Sequence, residues 1–287
     1  MMGDYVQRFL LDDLDIRGSV VRLGPVWRQM LAGRDYPAPV AQLLGEMCAT
    51  TLLVGGNLKQ PGRLTIQLRG SGPVSLLVID CDERLQLRGM AKSETRVAPG
   101  AAPALLGHGQ LLLSLDMPSM REPYQSVVPL VGESIAEIFE HYLRQSEQLP
   151  SRFFLAASVD GAAGLFLQKL PTAEQRDVDG WARIEALAST IKPEELLGLP
   201  AEKLLRRLFH EETVRLFDTQ PVTHNCPEDW EKVRSMLLSL GRAEVDAILR
   251  EHGEVLIKDD ICNREYRFEA QDIEELFRDA PTSPTLH

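Results

Sequence analysis

His224-Asn225-Cys226-Pro227-Glu228 and Lys258-Asp259-Asp260-Ile261-Cys262-Asn263 decide how the C-terminal part of this chain folds. Each stretch reads as a tight turn carrying one thiol, and together they organise residues 223–277. Pro227, Glu228 and Asp229 form a helix start, with proline at the first turn and acids at the positive end of the dipole. Over 230–240 the spacing directs Val233, Met236, Leu237 and Leu240 inward, and Gly241 stops the helix. A second helix over 243–252 turns Val245, Ile248 and Leu249 inward and ends at Gly253. Residues 254–258 form a strand, 259–264 a turn, 265–268 the return strand, and 272–277 a last helical turn or two. Sulfur at two facing turns is how a structural zinc site begins, yet such a site takes four ligands and only two thiols stand here.

Upstream, the hydrophobic period sets a different kind of body. Residues 5–23 alternate loosely and suggest an edge strand. A short helix follows from Gly24-Pro25 to Leu31, and a strong one over 38–54, with Val40, Leu43, Leu44, Met47, Cys48, Thr51 and Leu52 on a broad apolar face. From Arg63 the period becomes two. Strands over 64–68, 74–79 and 85–90, joined by tight turns, make an antiparallel meander. The Gly70-Ser71-Gly72 turn is a poor phosphate cradle, because Pro73 removes an N–H and a strand follows rather than a helix. Residues 95–110 read as a loop, 110–115 and 125–130 as a strand pair, and 134–147 as a helix opened by the capping box Ser134…Glu137. A hairpin over 153–170 turns at Asp160-Gly161. Strands mixed with helices, without βαβ alternation, give an α+β fold.

Beyond Pro171 comes an amphipathic stretch broken by Pro193 and Pro200. Trp181, Ile184 and Leu187 line one helical stripe, and Leu204, Leu205, Leu208 and Phe209 another. Helices this short are marginal alone in water, so the stretch must lie on another surface, either as a linker or as a layer of the main domain. The expected organisation is therefore an α+β core over 1–175, a helical linker over 176–222, a thiol-bearing module over 223–280, and a disordered Pro/Ser/Thr tail over 281–287.

Composition excludes several functions. The net charge is −11, and the last 62 residues hold 15 acids against 8 bases. A nucleic-acid module needs a basic face, and an anionic membrane would repel this one. No apolar run is expected to reach the ~18 residues that span a bilayer. The acidic start Met1-Met2-Gly3-Asp4 is unlike a secretory signal, so a cytoplasmic location is expected. Four cysteines are too few for a disulfide scaffold. Cys48 reads as a small core residue, and Cys81, between Asp80 and Asp82, as a poor nucleophile. His210-Glu211-Glu212 lacks the second histidine of a zinc-hydrolase helix, since Val214 occupies that position. No nucleotide-binding motif and no nucleophile–base set can be picked out, so an enzyme is not expected.

The chain resembles the bacterial heat-shock protein 33 family of redox-regulated holdase chaperones. The resemblance rests on Asp35-Tyr36-Pro37-x-Pro39-Val40, Leu58-Lys59 with Gln67-Leu68-Arg69-Gly70-x-Gly72-Pro73, and Tyr124-Gln125-x-Val127-Val128. It continues through Ser146-Glu147-Gln148-Leu149-Pro150-x-Arg152, Ala162-Ala163-Gly164 with Leu167-Gln168, Leu208-Phe209-His210-Glu211-Glu212 and Gln220-Pro221-Val222. Each motif is weak alone, but their joint order spans nearly the whole chain.

The resemblance implies an ATP-independent holdase that binds unfolding or oxidatively damaged proteins, with a homodimer in the active state and no nucleotide. It implies that apolar surface on the 63–170 sheet and on 181–209 is covered at rest, with Trp181, Ile184, Leu187, Leu204, Leu205, Leu208 and Phe209 as client-binding candidates. A stress-linked adaptor on the same fold is the alternative. The family pattern also implies four thiolates on one zinc, arranged as a C-x-C and a C-x-x-C pair. Here Cys226 and Cys262 match one member of each pair, while Glu228 and Asp259 stand at the other two positions. Neither within-pair disulfide can form. Three readings stay open. Cys226, Cys262, Glu228 and Asp259 hold zinc, with His224 able to replace one acid. Or Cys226 and Cys262 meet and form one disulfide. Or the module has lost metal and switch and folds on Val233, Leu237, Ile248, Val255, Ile257, Tyr266, Phe268 and Ile273. The sequence leans to the last.

Overall fold

The computed structural model describes residues 3–58 and 60–278. The tail expected to be disordered, 281–287, lies outside the described residues. The chain divides into two compact units, Met1–Asn225 and Cys226–His287. The expected boundaries at 175 and 222 thus give way to a single one, between Asn225 and Cys226.

In the first unit, β1 (Tyr5–Leu11) and β2 (Ile16–Leu23) form a hairpin where one edge strand was expected. The helix α1 (Pro25–Leu31) follows, started by the Asp4 carboxylate, which accepts from the backbone N–H groups of Gly24 and, at 2.6 Å, of Val26. The next helix, α2 (Ala38–Gly55), has 12 of its residues buried. Its 18 residues have a mean hydropathy of 1.3, long and apolar enough to cross a membrane by those measures alone. That corrects the expectation that no such run exists. The helix is apolar on nearly all sides because it is enclosed by protein.

Strands β3 (Arg63–Gly70), β4 (Val74–Cys81) and β5 (Gln86–Ser93) form the expected meander. The segment read as a loop contains a short helix, α3 (Ala102–Leu106). Then come β6 (Gly109–Asp116), β7 (Tyr124–Pro129), α4 (Ile135–Ser146), β8 (Ser151–Ala157) and β9 (Ala162–Lys169). Three helices follow α5 (Ala173–Arg176): α6 (Gly180–Ala188), α7 (Pro193–Gly198) and α8 (Ala201–Leu208). The unit closes with β10 (Val214–Pro221) and the two-residue β11 (Thr223–His224).

These strands build two sheets, ordered β10-β1-β2-β9-β8 and β11-β5-β4-β3-β6-β7. All pairings within them are antiparallel except β11 with β5. A large core joins α1, α2 and α4 to both sheets, around Trp27, Leu44, Met47 and Phe139. The five-stranded sheet buries its second face too. Tyr5, Phe9, Ile16, Val20, Leu165 and Leu167 point away from that core and into a second one, built with α6, α7 and α8. The segment expected to be a linker is a structural layer and a strand of the first unit.

The Gly70-Ser71-Gly72 turn shows why a phosphate has no place there. A Cβ on Gly70 would sit 2.0 Å from the Leu106 carbonyl, and one on Gly72 2.6 Å from that of Leu105. The turn's donors are already taken: Ser71 N–H reaches His108 O at 2.9 Å and Gly72 N–H reaches Leu106 O at 2.8 Å.

The second unit contains α9 (Trp230–Leu240), α10 (Arg242–His252), the hairpin β12 (Val255–Asp259) with β13 (Arg264–Phe268), and α11 (Ala270–Arg278). Its core is Val233, Leu237, Val245, Val255, Tyr266, Phe268 and Ile273, with Ile248 and Ile257 half-buried beside it. Met236 and Leu240, expected to point inward, are 43% and 51% exposed. Three turns of α9 meet only a hairpin and two short helices, too little surface to cover more than the Val233–Leu237 side.

Candidate functional sites: the thiol pair and the covered helical layer

In the second unit Cys226 precedes α9 and Cys262 sits in the β12–β13 turn. Asp229 caps α9, its Oδ1 accepting from Lys232 N–H at 3.0 Å, while its own N–H donates to Tyr266 Oη at 3.1 Å. That second bond ties the approach to α9 onto β13. Trp230 stacks edge-on against Tyr266 at 4.9 Å and Phe268 at 5.7 Å. In the opposite turn, Asp259 Oδ1 accepts from Ile261 N–H at 2.9 Å and from Cys262 N–H at 3.2 Å, which curls the chain back into β13. The left-handed Asn263, at φ 50°, completes the reversal. The two turns bring the cysteines to a Cα–Cα distance of 5.5 Å, and a disulfide joins them. That distance is the usual one for such a bond. Both cysteines are half-buried.

The residues considered for zinc do not fit a metal. The two sulfurs are bonded to each other. Glu228 accepts from Trp230 Nε1 at 2.9 Å and pairs with Arg264 at 3.8 Å. Asp259 holds its own turn. The His224 ring lies in the first unit, with Nδ1 2.9 Å from Leu87 O. Among the described residues, no three His, Cys, Asp or Glu side chains gather as a metal-holding group. The other two cysteines belong to the first unit and are fully buried. Burial pushes the Cys48 thiol far up. It pushes Cys81 up to about 12, with help from Asp82 and Asp80.

In the first unit, the proposed client-binding residues lie in the layer over the five-stranded sheet. Ile184, Leu204, Leu205, Leu208 and Phe209 are buried there, and Trp181 and Leu187 are half-buried. Phe209 meets Phe9 at 6.4 Å between ring centres. Tyr5 Oη accepts from Ala201 N–H at 3.2 Å, fixing the start of α8 to β1.

The rim of this layer is clasped by ion pairs that periodicity does not reveal. Arg183 bridges Glu212 at 2.8 Å and Asp177 at 2.9 Å. Arg207 meets Glu195 at 2.5 Å. Arg152 of β8 reaches Glu185 of α6 and Glu140 of α4, both at 3.3 Å. Burial raises the Glu140 carboxyl above its ordinary value, against the pull of the Phe153 N–H and of Arg152. Glu212, met first as part of a failed zinc-hydrolase motif, thus anchors Arg183. Each surface pair is weak; Arg183 and Arg207 tie parts of the layer to one another, and Arg152–Glu185 is the pair that joins the layer to the sheet.

Residues 4–269 match a family described as Hsp33 protein. The 33 kDa chaperonin of Ectopseudomonas mendocina is 43% identical over 286 residues, covering 97% of each chain. That of Shewanella loihica is 41% identical, covering 99% of each. The crystal structure of the 33 kDa chaperonin from Thermotoga maritima superposes with a TM-score of 0.82 at 25% identity, covering 96% of this chain and 98% of that one. Fold and relatives together define a chaperone, a class without catalytic chemistry. The chain belongs to the Hsp33 family.

Proposed function

We propose that this chain is an ATP-independent holdase of the cytoplasm. It binds unfolding or oxidatively damaged proteins under heat or oxidative stress, prevents their aggregation, and acts as a homodimer. The observation that carries this reading is the cover on the five-stranded sheet. Helices of 9, 6 and 8 residues hide a continuous apolar face. Helices of that length have almost no stability of their own, so loosening their packing exposes the sheet face and their own apolar stripes together. An unfolding client offers the same kind of surface, and burying the two against each other is favourable at roughly 25 cal/mol per Å². No nucleotide and no nucleic acid enters this scheme, and no membrane is needed.

The test is a citrate synthase aggregation assay at raised temperature, with and without peroxide. Suppression of light scattering at a few-fold molar excess of chaperone is the expected result. No suppression in any redox or heat-treated state would sink the holdase reading. A defined complex with one folded partner and no effect on unfolding proteins would favour the adaptor.

A further inference from the structure

The Hsp33 resemblance implies a switch in which thiols hold a metal in the folded module and oxidation removes it. The residues present here reverse that logic. The folded module is the oxidised one, joined by Cys226–Cys262. Reduction would leave two isolated thiols and no substitute clamp, because Glu228 is engaged with Trp230 and Arg264, and Asp259 with its own turn. Cys48 and Cys81 are fully buried in the other unit and offer no exchange partner.

We propose that Cys226 and Cys262 form a single thiol–disulfide redox site of inverted polarity, closed when oxidised and released by a dithiol reductant. The half-buried sulfurs are within reach of such a donor. One donor thiolate attacks a sulfur of the pair, the Cys226–Cys262 bond breaks, and a mixed disulfide forms. The donor's second thiol resolves it. Two electrons and two protons end on Cys226 and Cys262, and the donor leaves as its own disulfide. The bond closes a loop over a sequence separation of 36, which contains all of α9 and α10 and most of the core. Opening it returns that loop's freedom to the unfolded ensemble, so the module becomes the part of the molecule most prone to open.

The role of this opening in chaperone activity rests on the holdase reading; the clamp itself does not. The experiment uses the full-length protein, treated with dithiothreitol or with peroxide, and a Cys226→Ser variant. Three readouts are taken: free thiols under denaturing conditions, the rate of limited proteolysis within 226–278, and aggregation suppression. The expected results are two thiols after peroxide against four after dithiothreitol, and cleavage roughly thirty- to several-hundred-fold faster when reduced. Cys226→Ser should cleave at the fast rate in both conditions. Aggregation suppression is read in all three preparations, and suppression in any of them keeps the holdase reading. Cleavage that is faster after peroxide, or equal in the two states, overturns the proposal. So does about one zinc per reduced chain with the slow rate retained. If no state suppresses aggregation, the holdase reading fails, while thiol count and cleavage still decide the clamp.

Discussion

Phe209→Ala is expected to cost about 3–5 kcal/mol, the range for removing a large aromatic from a packed core. Phe209 is 1% exposed at the end of α8. Its ring fills the space between α8 and Phe9 of β1, so its loss leaves a void between layer and sheet rather than a surface notch. In a unit of this size each kcal/mol moves the midpoint by roughly 2–4 °C, giving a drop on the order of 10 °C. The damage is local to the junction that the holdase reading needs to open. Phe209→Ala should therefore suppress aggregation at temperatures where the wild type is still inactive. Calorimetry and the citrate synthase assay check the two halves separately. A loss below about 1 kcal/mol would mean that the helices are not an integral layer. A large loss with no earlier activity would mean that this junction is structural only.

Asp80→Asn is expected to destabilise the six-stranded sheet by about 2–3 kcal/mol, because Asp80 is buried while Arg63 and Arg88 keep part of their water. The Asp80 side chain is 8% exposed. Its carboxylate accepts from Arg63 Nε at 2.8 Å, Arg88 Nε at 2.7 Å and Thr65 Oγ1 at 2.9 Å, tying three adjacent strands together. Burial is the largest single influence and pushes this carboxyl up. The two guanidiniums and the threonine outweigh it, and the group titrates below the ordinary carboxylate range. A lowered value fixes the sign. The stability from this group is complete above the unfolded carboxyl value, about 3.9, and is lost as pH falls through the lower folded value. Wild-type protein should lose stability steeply below about pH 4, and Asp80→Asn should show a flatter acid limb from a lower plateau. Urea midpoints between pH 2.5 and 7 measure this directly. Parallel acid limbs in the two proteins would show that other carboxylates govern the acid transition.

The sequence was most legible where local chemistry and period agree. Ser134 is readable as the cap of α4, and its Oγ accepts from Glu137 N–H at 3.2 Å. The Glu137 side chain reaches back one residue further than a capping box requires, to Glu133 N–H at 2.8 Å. The module's helices and hairpin follow from Pro227, Gly241, Gly253 and the Asp259 turn, all of which act within a few residues of themselves. Long-range partnerships were hidden. β10 contains Arg215, Asp218 and Gln220, has no fully buried residue, and becomes a strand because β1 offers it an edge. β9 carries a signal of its own. Seven of the eight residues of β9, Ala162–Lys169, are buried, and its apolar run has no polar face. Such a strand needs cover on both sides, which already argued that residues 181–209 form a layer rather than a free linker. For the thiols, each turn was readable but their meeting was not. It depends on the Asp229–Tyr266 bond and on the β12–β13 register, which pairs Asp259 with Arg264.

The pairing of β1 with β10 sets Tyr5 opposite Pro221 and Leu11 opposite Val214. During synthesis β1 therefore waits for almost the last residues of its unit before its outer edge is covered. Until then a nascent chain presents an open backbone edge and the bare Phe9 face, an invitation to pair with a neighbouring copy. A member of a chaperone family thus passes, during its own synthesis, through a state that is itself open to aggregation, and prompt arrival of residues 214–221 ends that exposure.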